Sequence, residues 1–84
     1  MNLAEVKDTL RRFICTELIE EPSYPLGDNE PLISGGLIDS FALASLAVFI
    51  EATFNVYVPD VDLSIEDMDT VERIAARVLE LEST

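Results

Sequence analysis

Apolar residues recur every three or four positions at the start of the chain: Leu3, Val6, Leu10, Ile14 and Leu18, with Phe13 at the edge of the stripe. That spacing predicts an amphipathic helix over about 3–20, whose other face carries Glu5, Asp8 and Arg12. Cys15 lies off the centre of the stripe, so a partly exposed thiol is expected there. Nothing near it would depress its pKa, which makes it a tolerated small residue rather than a redox centre. Pro22, Pro25, Gly27 and Pro31 then stop any helix, and Gly35-Gly36 adds freedom. The stretch 21–38 is long for a connection in so short a chain. Tyr24, Leu26, Leu32, Ile33 and Leu37 give it apolar anchors, so it is expected to pack across the other elements.

A second helix is predicted over about 40–54, capped by Asp39 or Ser40, whose side chains both accept hydrogen bonds from free backbone N–H groups. Its inward stripe is Leu43, Leu46, Ala47, Ile50 and Phe54. Its outward face is unusual, because Phe41, Ala44 and Val48 share it and only Ser45, Glu51 and Thr53 are polar after the start. A helix apolar on nearly all sides is either buried throughout or uses its second face for contact. A small domain cannot bury both. Residues 55–59 alternate briefly and stop at Pro59. Ser64 and Asp67 are spaced like a capping box for a short helix over about 64–68. Asp69 or Thr70 then caps a last helix over about 70–82, with Val71, Ile74, Ala75, Val78 and Leu81 inward. The pattern predicts an all-α, four-helix domain spanning 1–84.

Composition narrows the function. The chain has 84 residues, 17 of them acidic and 5 basic, for a formal charge of −12. Such a field repels nucleic-acid phosphates and anionic lipid and favours partners with basic patches. A chain this short has room for one modest core and no deep catalytic cleft. There is no histidine and only one cysteine, so the usual zinc sites and Ser-His or Cys-His pairs cannot be assembled. An independent hydrolase using Ser40 is disfavoured without histidine, although Lys7 could in principle act as its base. The acidic run Asp60-Val61-Asp62 does not make a calcium loop, since the glycine position holds Ile65 and the closing glutamate position holds Val71. The start, Met1 to Glu5, lacks a basic stretch followed by an apolar run, and no apolar stretch is long enough for a membrane span. A monomeric cytoplasmic protein is expected, without membrane insertion or nucleic-acid binding.

A serine at a helix start is usually only a cap. Here, however, Gly36-Leu37-Ile38-Asp39-Ser40-Phe41 leads into an apolar helix that closes on Phe54, Val56, Val58 and Pro59. Thr70-Val71-Glu72-Arg73-Ile74-Ala75 follows about 30 residues after the serine. This arrangement resembles the phosphopantetheine-attachment domains: the acyl, peptidyl and D-alanyl carrier proteins. The resemblance spans nearly the whole chain. It implies a four-helix bundle of acyl-carrier type with a long first loop and a short third helix. It also implies a 4'-phosphopantetheine arm, taken from coenzyme A, on Ser40. Asp39 would position the magnesium used by the phosphopantetheinyl transferase that attaches it. The protein itself would be a non-catalytic carrier, holding acyl or aminoacyl groups as thioesters for partner enzymes of fatty-acid, polyketide, nonribosomal-peptide or related biosynthesis. An anion at that helix mouth is favoured by the helix dipole and free N–H groups, by roughly 0.3–1 kcal/mol at an exposed site.

Carriers of the fatty-acid type line the second helix with several acidic residues. Here Phe41, Ala44, Val48 and Glu51 occupy the comparable face. The acidity sits instead in the loop, at Asp28 and Glu30, and around the third helix, at Asp60, Asp62, Glu66, Asp67 and Asp69. A more apolar docking patch follows, closer to the peptidyl and D-alanyl carriers that meet adenylating enzymes; the resemblance implies an adenylating ligase, or acyltransferase or synthase enzymes, as partners. The alternative outside the carrier class is a small acidic adaptor that uses the same apolar face.

Overall fold

Asn2 opens the first helix with a reciprocal cap: its side chain accepts from the Glu5 N–H, and the Glu5 carboxylate accepts from the Asn2 N–H. In the computed structural model, which describes residues 2–83, this helix, α1, runs Leu3–Phe13 and widens into one π turn over Ile14–Leu18. The π turn is marked by the Ile19 N–H, which donates to the Ile14 carbonyl at 2.8 Å. The π turn ends at Leu18, and Ile19, still helical in its backbone angles, caps it just short of the expected end near 20. Glu20 enters the left-handed region at φ 63° and the Glu21 N–H closes back on the Cys15 carbonyl. Three further helices follow among the described residues, α2 (Ala42–Phe54), α3 (Ile65–Met68) and α4 (Val71–Glu82), and there is no strand. The fold is thus all-α, a helical bundle of acyl-carrier type.

Helix α4 packs against all three of the others. It starts at Thr70, whose side chain accepts from the Arg73 N–H, and buries Val71, Ile74, Ala75 and Val78. Against this stripe lie Val6, Leu10 and Ile14 of α1 and its π turn, and Leu43, Leu46, Ile50 and Phe54 of α2. Each such side chain contributes about 1.5–3 kcal/mol by leaving water. Ala47 is only half-buried. The Phe13 and Phe49 rings stack at 4.0 Å and join α1 to α2.

The long loop is part of this core. Leu26, Leu32 and Ile38 are buried in it, and the radius of gyration, 11.5 Å, is close to the roughly 12 Å of a compact chain this long. The loop also corrects the expectation for Cys15, which is 3% exposed. The chain folds back over the π turn until the Tyr24 carbonyl accepts from the Cys15 Sγ–H at 3.6 Å. Burial pushes the thiol up from its ordinary pKa, against the pull of Arg11.

Two sets of polar contacts hold the loop. At its start, Asp28 takes Lys7 and Arg11, Lys7 also pairs with Glu72, and the Glu72 N–H donates to the Asp28 carbonyl. At its far end the anchor is Asp69. Its carbonyl accepts from the Leu32 N–H at 2.7 Å, and its carboxylate accepts from the Ile33 N–H at 2.8 Å, the Ser34 N–H at 3.0 Å and the Ser34 hydroxyl. Asp69 therefore does not belong to the acidic surface expected around α3; it is 7% exposed and turned inward. The Leu32 carbonyl accepts from both the Leu37 and Ile38 N–H groups. That tight closure needs Gly35, where a Cβ would stand 2.3 Å from the Pro31 carbonyl oxygen, and Gly36, at φ 81°.

Burial works against charge on Asp69, but the Ser34 hydroxyl, the Ser34 and Ile33 amides and Arg73 outweigh it and hold the carboxyl below its ordinary 3.8. A carboxyl depressed in the folded state stabilises the protein above the ordinary value, and that stability drains away as pH falls through the folded one. Asp69→Ala should cost about 3 kcal/mol in urea unfolding, because two amides lose their acceptor. Asp69→Asn, which keeps one acceptor oxygen, should cost less and flatten the loss of stability below about pH 4. An unchanged acid limb in Asp69→Asn would remove this role.

Candidate functional site

The closed loop delivers Ile38 to the core and leaves Asp39, Ser40 and Phe41 exposed at the mouth of α2. Of the two candidate caps, Asp39 does the work. Its Oδ1 accepts from the Phe41 N–H at 3.0 Å and the Ala42 N–H at 3.2 Å, and its carbonyl accepts from the Ala42 N–H at 3.1 Å. The first-turn amides expected to be free for an anion are therefore occupied. Leu43 and Ala44 donate in turn to the carbonyls of Ser40 and Phe41. The helix proper consequently begins at Ala42, two residues after the expected start, since Ser40 and Phe41 form the turn closed by Asp39. Ser40 Oγ makes no hydrogen bond among the described residues. A serine at a helix mouth that neither caps nor pairs presents a free hydroxyl to solvent.

An open groove of about 800 Å3 runs past Ser40. Leu18, brought round by the π turn, Ile33, Leu37 and Ile65 give it apolar walls, while Glu17 and Asp39 are its charged residues. Lys7 is absent from it. The ammonium of Lys7 lies between Asp28 and Glu72, and both carboxylates raise its pKa, Glu72 the more. It is not a base for Ser40.

The outward face of α2 is as apolar in three dimensions as on the helical wheel. Phe41 is 84% exposed and Val48 71%, with Ala44 and Glu51 also exposed. Ile65, which lines the same groove as Phe41, and Tyr57, which lines a depression with Val48, extend the apolar surface beyond the residues the sequence singled out, and Val61 is exposed as well. The alternation Val56-Tyr57-Val58 was the signal for Tyr57, since two buried neighbours leave the residue between them outside. The loop acids, by contrast, are used internally: Asp28 holds Lys7 and Arg11, and Glu30 accepts from the Tyr24 hydroxyl. Asp62 and Asp67 face Arg77.

No group of three or more His, Cys, Asp or Glu side chains that could hold a metal ion occurs among the described residues. No helix among them is long and apolar enough to cross a membrane. No protein-family model matches the chain. It is similar to the D-alanyl carrier protein of Streptococcus suis (strain 98HAH33), at 32% identity over 77 residues, which is 92% of this chain and 95% of the relative. It is also similar to the D-alanyl carrier protein of Streptococcus pyogenes serotype M1, at 37% identity over 54 residues, 64% of this chain and 68% of that one.

The division of labour at the helix mouth has a direct test. Asp39→Ala should destabilise the fold by about 1 kcal/mol and speed hydrogen exchange at the Phe41 and Ala42 amides, as loss of a cap does. Ser40→Ala should leave both within error. Equal losses in the two variants would mean that Ser40 is a cap after all.

Proposed function

The chain belongs to the carrier-protein family that includes the D-alanyl carriers, and from that premise we propose that Ser40 is the attachment point of a 4'-phosphopantetheine arm. The observation that carries this reading is the unpaired, exposed Ser40 hydroxyl beside an aspartate that already caps the helix. The residues around it fit such an arm. The hydroxyl is exposed, and the open groove beside it includes Leu18, Ile33, Leu37 and Ile65 in its lining. When bound, the arm supplies a thiol that carries an acyl or aminoacyl group as a thioester.

The chain's own contributions are placement and recognition. No base activates Ser40, so a phosphopantetheinyl transferase supplies the catalysis of attachment, with Asp39 positioned to help hold its magnesium. Asp39 keeps an acceptor oxygen, Oδ2, clear of the helix amides. Ser40 tethers the cargo at the tip of a rigid helix, which raises its effective concentration at each partner without releasing it. The apolar face of Phe41, Ala44 and Val48, with Glu51 at its end, suits an adenylating ligase better than an enzyme that reads a row of acids. The cargo we favour is a small aminoacyl group, the D-alanyl group named in the relatives being the first to try. The strong negative charge agrees with partners that carry basic patches and with a monomer, which we infer acts in the cytoplasm.

Incubation with coenzyme A, magnesium and a broad-specificity phosphopantetheinyl transferase should add the mass of one arm to the wild-type chain and none to Ser40→Ala. A wild type left unmodified by several such transferases overturns the reading. For docking, Phe41→Asp should lower thioester loading of the armed protein by a D-alanine-adenylating ligase roughly tenfold or more, as removal of a central apolar anchor does, with the far-ultraviolet circular dichroism unchanged. Unchanged loading kinetics would remove Phe41 from the interface.

A further inference from the structure

The end of α1 is irregular in a way that burial of its apolar stripe does not require. Glu17 stands seven residues after the buried Leu10, a spacing that on a regular helix returns to the same, inward side. The π turn over Ile14–Leu18 holds one more residue than an α turn. Glu17 is thereby carried off the inward stripe and left exposed, while Leu18 is half-buried against the core. Both line the open groove of about 800 Å3 that also contains Ser40.

The charged residues of this groove among the described residues are Glu17 and Asp39, and both are negative. Asp39 is committed to the helix: its Oδ1 accepts from the Phe41 and Ala42 amides. Glu17 comes from a different element and makes no hydrogen bond or ion pair among the described residues. Other surface acids share that freedom; Glu17 differs from them in lining the groove into which an arm on Ser40 can fold. Apolar walls with a carboxylate and no lysine or arginine suit one class of cargo. A small apolar group that bears a positive charge gains on both counts, and the α-ammonium of an aminoacyl thioester has that form. A plain fatty-acyl group gains from the walls alone. A dicarboxylic acyl group would set its free carboxylate against Glu17 and Asp39.

We propose that Glu17 holds the ammonium of an aminoacyl group when the loaded arm folds back into this groove. The proposal rests on the carrier reading for the arm itself, and adds to it a residue that favours one class of cargo. An ammonium held in this way keeps its proton and has no lone pair with which to attack another thioester. The loaded group therefore waits unreacted for its partner. Glu17 acts through its position and charge and takes no part in a bond-making step.

The test arms Ser40 with two coenzyme A analogues in which NH replaces the thioester sulfur. One carries D-alanine and the other propionate, so the two differ in the ammonium and nothing else. In the 15N-labelled chain, the D-alanyl form should shift the Glu17 and Leu18 amides relative to the propionyl form, and Glu17→Gln should abolish the difference. The amine, followed through a 13C label on the alanine, should titrate about 0.2–0.7 pH higher in the wild type than in Glu17→Gln, the size of one exposed charge pair. Glu21→Gln removes the same charge at an exposed position outside the groove and should stay near the wild-type midpoint. Equal midpoints in the wild type and Glu17→Gln, or an equal fall in the two variants, overturns the proposal. Attachment is read beforehand by mass. A chain that takes no arm therefore fails at Ser40, whereas an armed chain with equal midpoints fails at Glu17 alone.

Discussion

Leu32, Ile33 and Ser34 are tied to a single residue, Asp69, which lies 35 or more positions further along the chain. Everything at the functional end depends on this clamp. With Leu32 held, its carbonyl can close the turn on Leu37 and Ile38; with Ile38 sunk in the core, Asp39 arrives where its carboxylate meets the first amides of α2. Ser40 follows at the tip. The clamp combines the strongest kind of hydrogen bond available to a loop, backbone N–H to carboxylate, with burial that excludes competing water. The cost of burying the charge is met by three donors, so Asp69 remains ionised. A loop of this length without such an anchor would leave the position of Ser40 to chance.

The helix mouth separates two tasks that serine and aspartate can each perform. Asp39 satisfies the amides and matches the positive end of the α2 dipole. Ser40 is thereby released from structural work. Under the proposed function, a chain with no histidine and no base near its serine takes its reactivity from a partner enzyme, and the fold contributes an accessible hydroxyl at the mouth of a helix. The walls of the neighbouring groove depend on the π turn of α1, since that irregular turn brings Leu18 alongside.

The acidic residues fall into two populations with different physics. Asp28, Glu30, Asp69 and Glu72 are spent on internal contacts that pin the loop to α1 and α4. Glu51, Asp60 and Glu66 remain on the surface beside exposed apolar residues of α2, Tyr57 and the α3 region. The second population is available to a partner. The surface that remains is a mixed one, apolar at its centre and anionic at its edge, which is how many specific interfaces are composed.

Period and punctuation were enough to read the four helices, the inward stripes of α2 and α4 and the outward position of Phe41, Ala44 and Val48, because these follow from local spacing on a helix of 3.6 residues per turn. Ser40 and Asp39 were legible as a pair from their motif. What local pattern could not contain was any contact between residues distant in sequence. Cys15 reads as half-exposed on a helical wheel, yet the returning loop covers it. Asp69 reads as a surface acid or a cap, yet it meets Ile33 and Ser34. Whether Asp39 or Ser40 caps α2 is undetermined by composition, since both can; the clamped path of residues 32–38 sets the approach and chooses Asp39. The sequence by itself determined which faces are apolar. Only the tertiary structure decided which of them stay in water, because burial depends on what else the chain brings to the same place.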